Sequence, residues 1–205
     1  MAAGSPKGCC GHGVVVEDDV VVGVDVDVGV GKGTVVKLLQ EKYQEERRKL
    51  YLSVSCTTRA PREGEREGVH YYFISEEEFN NKIKHNDFLE YNQYGTGKYY
   101  GTPKDKVIDY LQKGYDVILE IDVNGYKQVC QNYKDCIGVF IMPPTIEDLE
   151  RRLRDRKTET EEAIQKRLQT AQAELLTKDL YDYVIVNENG KSDEACKKLY
   201  NIMTK

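Results

Sequence analysis

A chain of 205 residues, 40% hydrophobic and 32% charged, has the size and balance of one globular domain with a solvated surface. Its formal net charge of -5 argues against an extended duplex-binding face, so nucleic acid is not an expected partner. No apolar run is long enough to span a bilayer, and membrane association is not expected either.

The opening "MAAGSPKGCCGHG" lacks the basic start and apolar centre of a secretory signal, and residues 1–13 read as a disordered tail. Cys9, Cys10 and His12 form a metal-like cluster there, but no second pair of ligands matches it, which favours a flexible tail. No cysteine belongs to a C-x-x-C pair, so reduced thiols and a cytoplasmic location are expected. His70 and His85 are isolated and suit surface or packing roles.

Beyond Gly13, apolar runs alternate with helical patterns. Strands are predicted at Val20–Val24, Tyr51–Ser55, Asp116–Asp122, Ile137–Met142 and Tyr183–Asn187. "DVILEID", "IGVFIM" and "YVIVN" are near-continuous apolar runs, as expected of parallel strands covered on both faces. Ser75 with Glu78, and Thr145 with Asp148, offer helix starts. Pro103 suits the first turn of a helix that stops at Gly114. "VHYYFIS" and "FLEYNQYGTGKYYG" predict a small antiparallel patch turned at "GTGK". The expected architecture is α/β, with a parallel-sheet core, helices on both faces, an inserted β-rich lobe and a charged helical segment late in the chain.

Two stretches carry candidate chemistry. In "GVGKGT", Gly29 and Gly31 let the backbone curl so that consecutive N–H groups turn inward, and Lys32 opens a helix whose N-terminus favours an anion. The end of the phosphate-loop pattern G-x-x-x-x-G-K-[ST] fits, but its opening glycine is Val26. The hydroxyl follows Gly33, at Thr34, one place late for direct magnesium ligation and better suited to a hold through water. Val26 resists positive φ, and Asp25 and Asp27 add charge beside a polyanion. Taken alone, the stretch fits either a nucleotide loop or a glycine-rich strand–helix connection. In "SVSCTTRAPREGEREGVHYYF", the guanidinium forks of Arg59 and Arg62 could grip one phosphate, or decorate a solvated loop.

The order and spacing of "SVSCTTRAPREGE", "FLEY", "YYGT", "LEIDVNG", "PPTIEDLERRLRDRKTETEEAIQKRL" and "YDYVIVN" closely resemble the guanylate kinase family, from about Val20 to the C-terminus. The resemblance implies a P-loop kinase core, a GMP-binding lobe at about 54–102, a helical lid at about 152–168, and magnesium-dependent conversion of ATP and GMP to ADP and GDP. By motif, Arg59, Arg62, Tyr71 and Tyr100 match ligands of the GMP phosphate, and Ser55, Glu90, Thr102 and Asp122 the guanine readers. The family often has serine where Thr102 stands, and "GTGK" is one residue longer than its common turn. Lys32 with Arg152, Arg156 and Arg167 matches the phosphoryl-transfer set. Gly29, Val30, Gly31, Lys32, Gly33, Thr34 and Asn187 match ATP contacts. Asp122, with Glu120 beside it, and Thr34 are the candidates for orienting magnesium through water. The Val26 departure leaves a second expectation: a guanylate-kinase-like interaction domain that binds GMP or a phosphorylated partner without ATP chemistry. Lys32 and the lid arginines favour the enzyme, and the guanine-reading set argues against another nucleoside monophosphate kinase.

Overall fold

The computed structural model describes residues 21–25, 31–94, 97–133, 136–155 and 160–205. The tail with Cys9, Cys10 and His12, the loop positions Val26, Gly29 and Val30, and Arg156 of the expected lid lie outside the described residues.

Five parallel strands form the core sheet: β1 (Val21–Asp25), β2 (Leu50–Leu52), β7 (Asp116–Glu120), β8 (Cys136–Met142) and β9 (Tyr183–Val186). They lie in the order β2-β7-β1-β8-β9. Alternation along β7 and β8 sends side chains to both faces. Ile118, Val139 and Ile141 pack under α1 (Lys32–Glu45) and α7 (Ser192–Met203), through Val35, Leu39, Leu199 and Met203. Val117, Leu119 and Phe140 pack under α3 (Lys104–Gln112) and α4 (Val123–Asn132), through Val107, Leu111, Tyr126 and Val129. A sheet buried on both faces explains the unbroken apolar runs that identify these strands in the sequence.

The second sheet has the order β4-β3-β6-β5, with β3 (Cys56–Thr57), β4 (Tyr72–Phe73), β5 (Phe88–Gln93) and β6 (Tyr99–Pro103). The hairpin β5–β6 is antiparallel as expected, but β3 and β4 pair in parallel, so the patch is mixed. The strand expected over Tyr51–Ser55 ends at Leu52, and the chain crosses between the sheets before β3 begins. A register shift between Phe88 and Glu90 bulges β5. It lets Phe88, Leu89 and Glu90, all buried, face three surroundings: the lobe cluster with Phe79, the core cluster, and the site.

Helix α2 (Glu76–Lys84) closes the lobe, capped by Ser75, whose hydroxyl accepts from Glu78 N. Thr145 likewise accepts from Asp148 N at 3.1 Å before α5 (Ile146–Asp155). Pro103 ends β6 and occupies the position before α3, and Gly114, φ 69°, follows that helix. Helices α5 and α6 (Glu161–Leu175) make their own small core from Leu149, Leu153, Ile164, Leu168 and Ala171.

Candidate active site

The C-terminal ends of the core strands face the second sheet and the α5–α6 pair, the position where open parallel sheets bind ligands. Gly31 precedes α1 with φ 83°, and a β-carbon there would meet Asn187 Nδ2 at 2.7 Å. Glycine is therefore required by conformation and by space. No side chain caps α1, leaving its first backbone N–H groups for an anion. Lys32 Nζ lies 3.7 Å from Glu120 Oε1 at the end of β7, and Thr34 is exposed in the first turn.

Asn187 follows β9, 2% exposed and packed over Gly31. Its carbonyl accepts from Arg152 Nη2 at 2.7 Å, while Arg152 Nε donates to Asn189 Oδ1 at 2.9 Å. One arginine of α5 thus reaches the loop beside the α1 N-terminus. Arg167 is half-buried on α6. Arg154 is committed elsewhere: it bridges Glu150 and Glu161 and clasps the two helices together.

At the other end, Arg59 Nε donates to Tyr100 OH at 3.1 Å, and its guanidinium lies 5.2 Å from the centre of the Tyr71 ring. The two arginine forks do not stand equivalent. Glu65 takes Arg59 bidentately, at 2.7 and 2.9 Å, and also accepts from Arg62 N. The Arg59 pair, with that N–H, holds the Glu65 carboxyl down at about 2. Arg62 remains exposed, so it is the arginine with the freer reach.

Between these ends lies a buried polar relay. Thr102, fully buried, donates to Glu90 Oε1 at 2.5 Å, and Ser55 Oγ is 3.5 Å from Thr102 Oγ1. Burial, with the Asp122 charge nearby, pushes the Glu90 carboxyl up to about 7, against the pull of the Thr102 hydrogen bond. Helix α4 approaches so closely that a β-carbon on Gly125 would meet Glu90 Oε2 at 2.9 Å. Asp122 caps α4 through Gly125 N and also accepts from Asn92 Nδ2 and Tyr94 OH, each at 2.8 Å. With three donors already on it, Asp122 is a poor magnesium ligand, and Glu120 is the carboxylate that faces Lys32. Among the described residues no group of three or more His, Cys, Asp or Glu is arranged to hold a metal ion.

Sequence reasoning named Ser55, Arg59, Arg62, Tyr71, Glu90, Tyr100, Thr102 and Asp122; contacts join Ser55 to Thr102 and Glu90, and Arg59 to Tyr71 and Tyr100, with Asp122 at the adjoining core edge, while Arg62 stands exposed beside Glu65. It missed Glu65, Asn92, Tyr94 and Asn189. The signal for one of these was present: Glu90 and Asn92 stand two apart in β5 and so share a face.

The sequence profile of the guanylate kinase family matches residues 20–205. A guanylate kinase of Synechococcus sp. (strain JA-3-3Ab) is 52% identical over 161 residues, 78% of this chain and 72% of that one. One from Clostridium tetani is 49% identical over 176 residues, covering 86% of this chain and 81% of its own. The crystal structure of guanylate kinase from Anaplasma phagocytophilum superposes with a TM-score of 0.68 at 31% identity, over 90% of this chain and 84% of that one. With the fold shared and about half the aligned positions identical, this chain belongs to the guanylate kinase family.

Proposed function

We propose that the chain transfers the γ-phosphoryl group of ATP to GMP, giving ADP and GDP. The observation that carries this reading is the pairing of two chemistries on one sheet face. A buried carboxyl with a hydroxyl partner, Glu90 and Thr102, lies at one end, and an arginine–tyrosine anion seat, Arg59 with Tyr100 and Tyr71, at the other. A purine monophosphate with N–H donors on its base edge complements both, and adenine, lacking the N1–H donor, leaves the buried carboxylate unpaired.

In this mechanism Glu90, as carboxylate, accepts from the guanine edge, with Ser55 and Thr102 completing the pocket and Asp122 at its rim. Arg59, Arg62, Tyr71 and Tyr100 hold the GMP phosphate. An oxygen of that phosphate attacks the γ-phosphorus of ATP, and the bond to the β–γ bridging oxygen breaks, leaving ADP. Phosphoryl transfer needs alignment and positive charge more than covalent help. Lys32, Arg152, Arg156 and Arg167 supply that charge, and the backbone over Gly31–Thr34 cradles the ATP phosphates, with Asn187 beside the nucleotide. Magnesium enters with ATP as part of that substrate, with Thr34 and Glu120 as its neighbours through water. The α5–α6 pair closes over the phosphates and excludes water. Thiols rather than disulfides at Cys56, Cys130, Cys136 and Cys196 support a reducing, cytoplasmic setting.

The test is ADP release from MgATP in a coupled assay, with GMP and with AMP. Turnover with GMP at least a hundredfold above AMP is expected; equal rates, or none with GMP, would overturn the reading.

A further inference from the structure

Two residues at the end of the β5 segment that contact none of the charged groups assigned above to phosphate nevertheless converge on the guanine end. Asn92 lies two positions after Glu90 and shares its face of β5, and Tyr94 follows the strand's last residue, Gln93. Asn92 Nδ2 donates to Asp122 Oδ2 at 2.8 Å, and its own Oδ1 accepts from Gln93 N at 2.9 Å, which fixes the amide's orientation. Tyr94 OH donates to the same Oδ2 at 2.8 Å, and burial together with Asp122 raises its phenol, keeping it a donor. The third donor to Asp122, Gly125 N, belongs to α4 of the core, at 2.8 Å. The Asp122 carboxylate is therefore shared between the hairpin and the core. The Tyr94 ring also meets Tyr100 edge-on with centroids 5.3 Å apart, and Tyr100 accepts from Arg59.

We propose that Asn92 and Tyr94 are positioning residues for GMP selection: they lock the Asp122 carboxylate and tether the β5–β6 hairpin to the core edge, setting the distance between base pocket and phosphate seat. The proposal rests on the GMP kinase reading. Two hydrogen bonds to one carboxylate oxygen fix its rotation, and charge-assisted bonds of this kind are among the stronger ones available to a protein. Without them Asp122 is free to turn about its side chain beside Glu90, and beyond Tyr91, whose N–H and carbonyl are held by the Gln128 side chain of α4, the hairpin keeps only its backbone pairing to hold its angle.

The experiment compares steady-state kinetics of Asn92→Ala, Tyr94→Phe and the double variant, each also combined with Asp122→Asn. Tyr94→Phe keeps the ring contact with Tyr100. In the double variant the KM for GMP is expected to rise about tenfold, with KM for ATP within about twofold of the parent and Tm within about 2 °C. In the Asp122→Asn background the same substitutions should add little, since residues acting through one group are not additive. An unchanged KM for GMP in the double variant overturns the proposal. So does an equal rise in the Asp122→Asn background, or a parallel loss in ATP KM and Tm, which would mark a merely structural role. If the parent protein neither turns over GMP nor binds it by calorimetry, the kinase reading itself falls; parent turnover with unmoved variants removes only this inference.

Discussion

Burial beside Asp122 lifts the Glu90 carboxyl to about 7, so near neutrality the free protein holds a proton that a guanine edge, offering N–H donors, must displace. GMP binding should therefore release protons, and the KM for GMP should climb by up to about tenfold per pH unit below 7. Calorimetry in buffers of different ionisation enthalpy would register that release, and a flat profile from pH 5.5 to 8 would contradict it. Glu90→Gln removes the charge that guanine reads but keeps the shape. It should cost most of the preference for GMP over AMP while stabilising the free protein at pH 8 by about 1–3 kcal/mol, read from denaturant unfolding. Gly31→Ala offers a contrasting case. Its β-carbon would press on Asn187 Nδ2 from a left-handed backbone, so a loss of about 1–3 kcal/mol and a weakened ATP KM are expected, with the KM for GMP nearly unmoved.

Elements differ in how far their sequences announce them. Strands β7, β8 and β9 were legible because burial on both faces demands unbroken apolar runs, and α2 and α5 because Ser75 and Thr145 cap them as their spacing implies. Strands β3 and β4 were not resolved as a parallel pair, since two residues each carry no periodicity and their pairing is decided by the chain's path between sheets. In the site, residues bearing an identifiable charge or hydroxyl were named from motif resemblance, whereas Glu65 and Asn92 act by holding another side chain, which only proximity reveals. The α5–α6 pair leads to an expectation of its own. Its core is small and separate, so Leu153→Ala should loosen this helix pair by about 2–4 kcal/mol. Hydrogen exchange should then rise in α5 and α6 alone and kcat should fall, with the core strands and GMP affinity little changed.

Across the molecule, the raised Glu90 carboxyl makes stability depend on pH in a fixed direction. An unfolded glutamate loses its proton near 4.3, while the folded one keeps it to about 7, so the folded state binds the extra proton between those values. This contribution is fully present below that window and fades as pH rises through it, by at most about 4 kcal/mol. Glu90→Gln should flatten that limb in a series of thermal melts. Saturating GMP should work in the opposite sense, raising Tm more at pH 8 than at pH 6, because it binds the ionised form. The bulge in β5 carries one more consequence. Leu89 is buried in the core cluster while its neighbour Phe88 is buried in the lobe, and Gln128 of α4 then holds Tyr91 N and O, so Tyr91 is the last point before Asn92 at which the hairpin is fixed to the body of the protein. From Tyr91 to Tyr94 the chain makes a lever arm of about 10 Å. A swing of about 15° at that point carries the Tyr94 end through about 2.6 Å, enough to part a hydrogen bond of ordinary length. A small rotation at a fixed fulcrum is thus all that separates a latched hairpin from a released one.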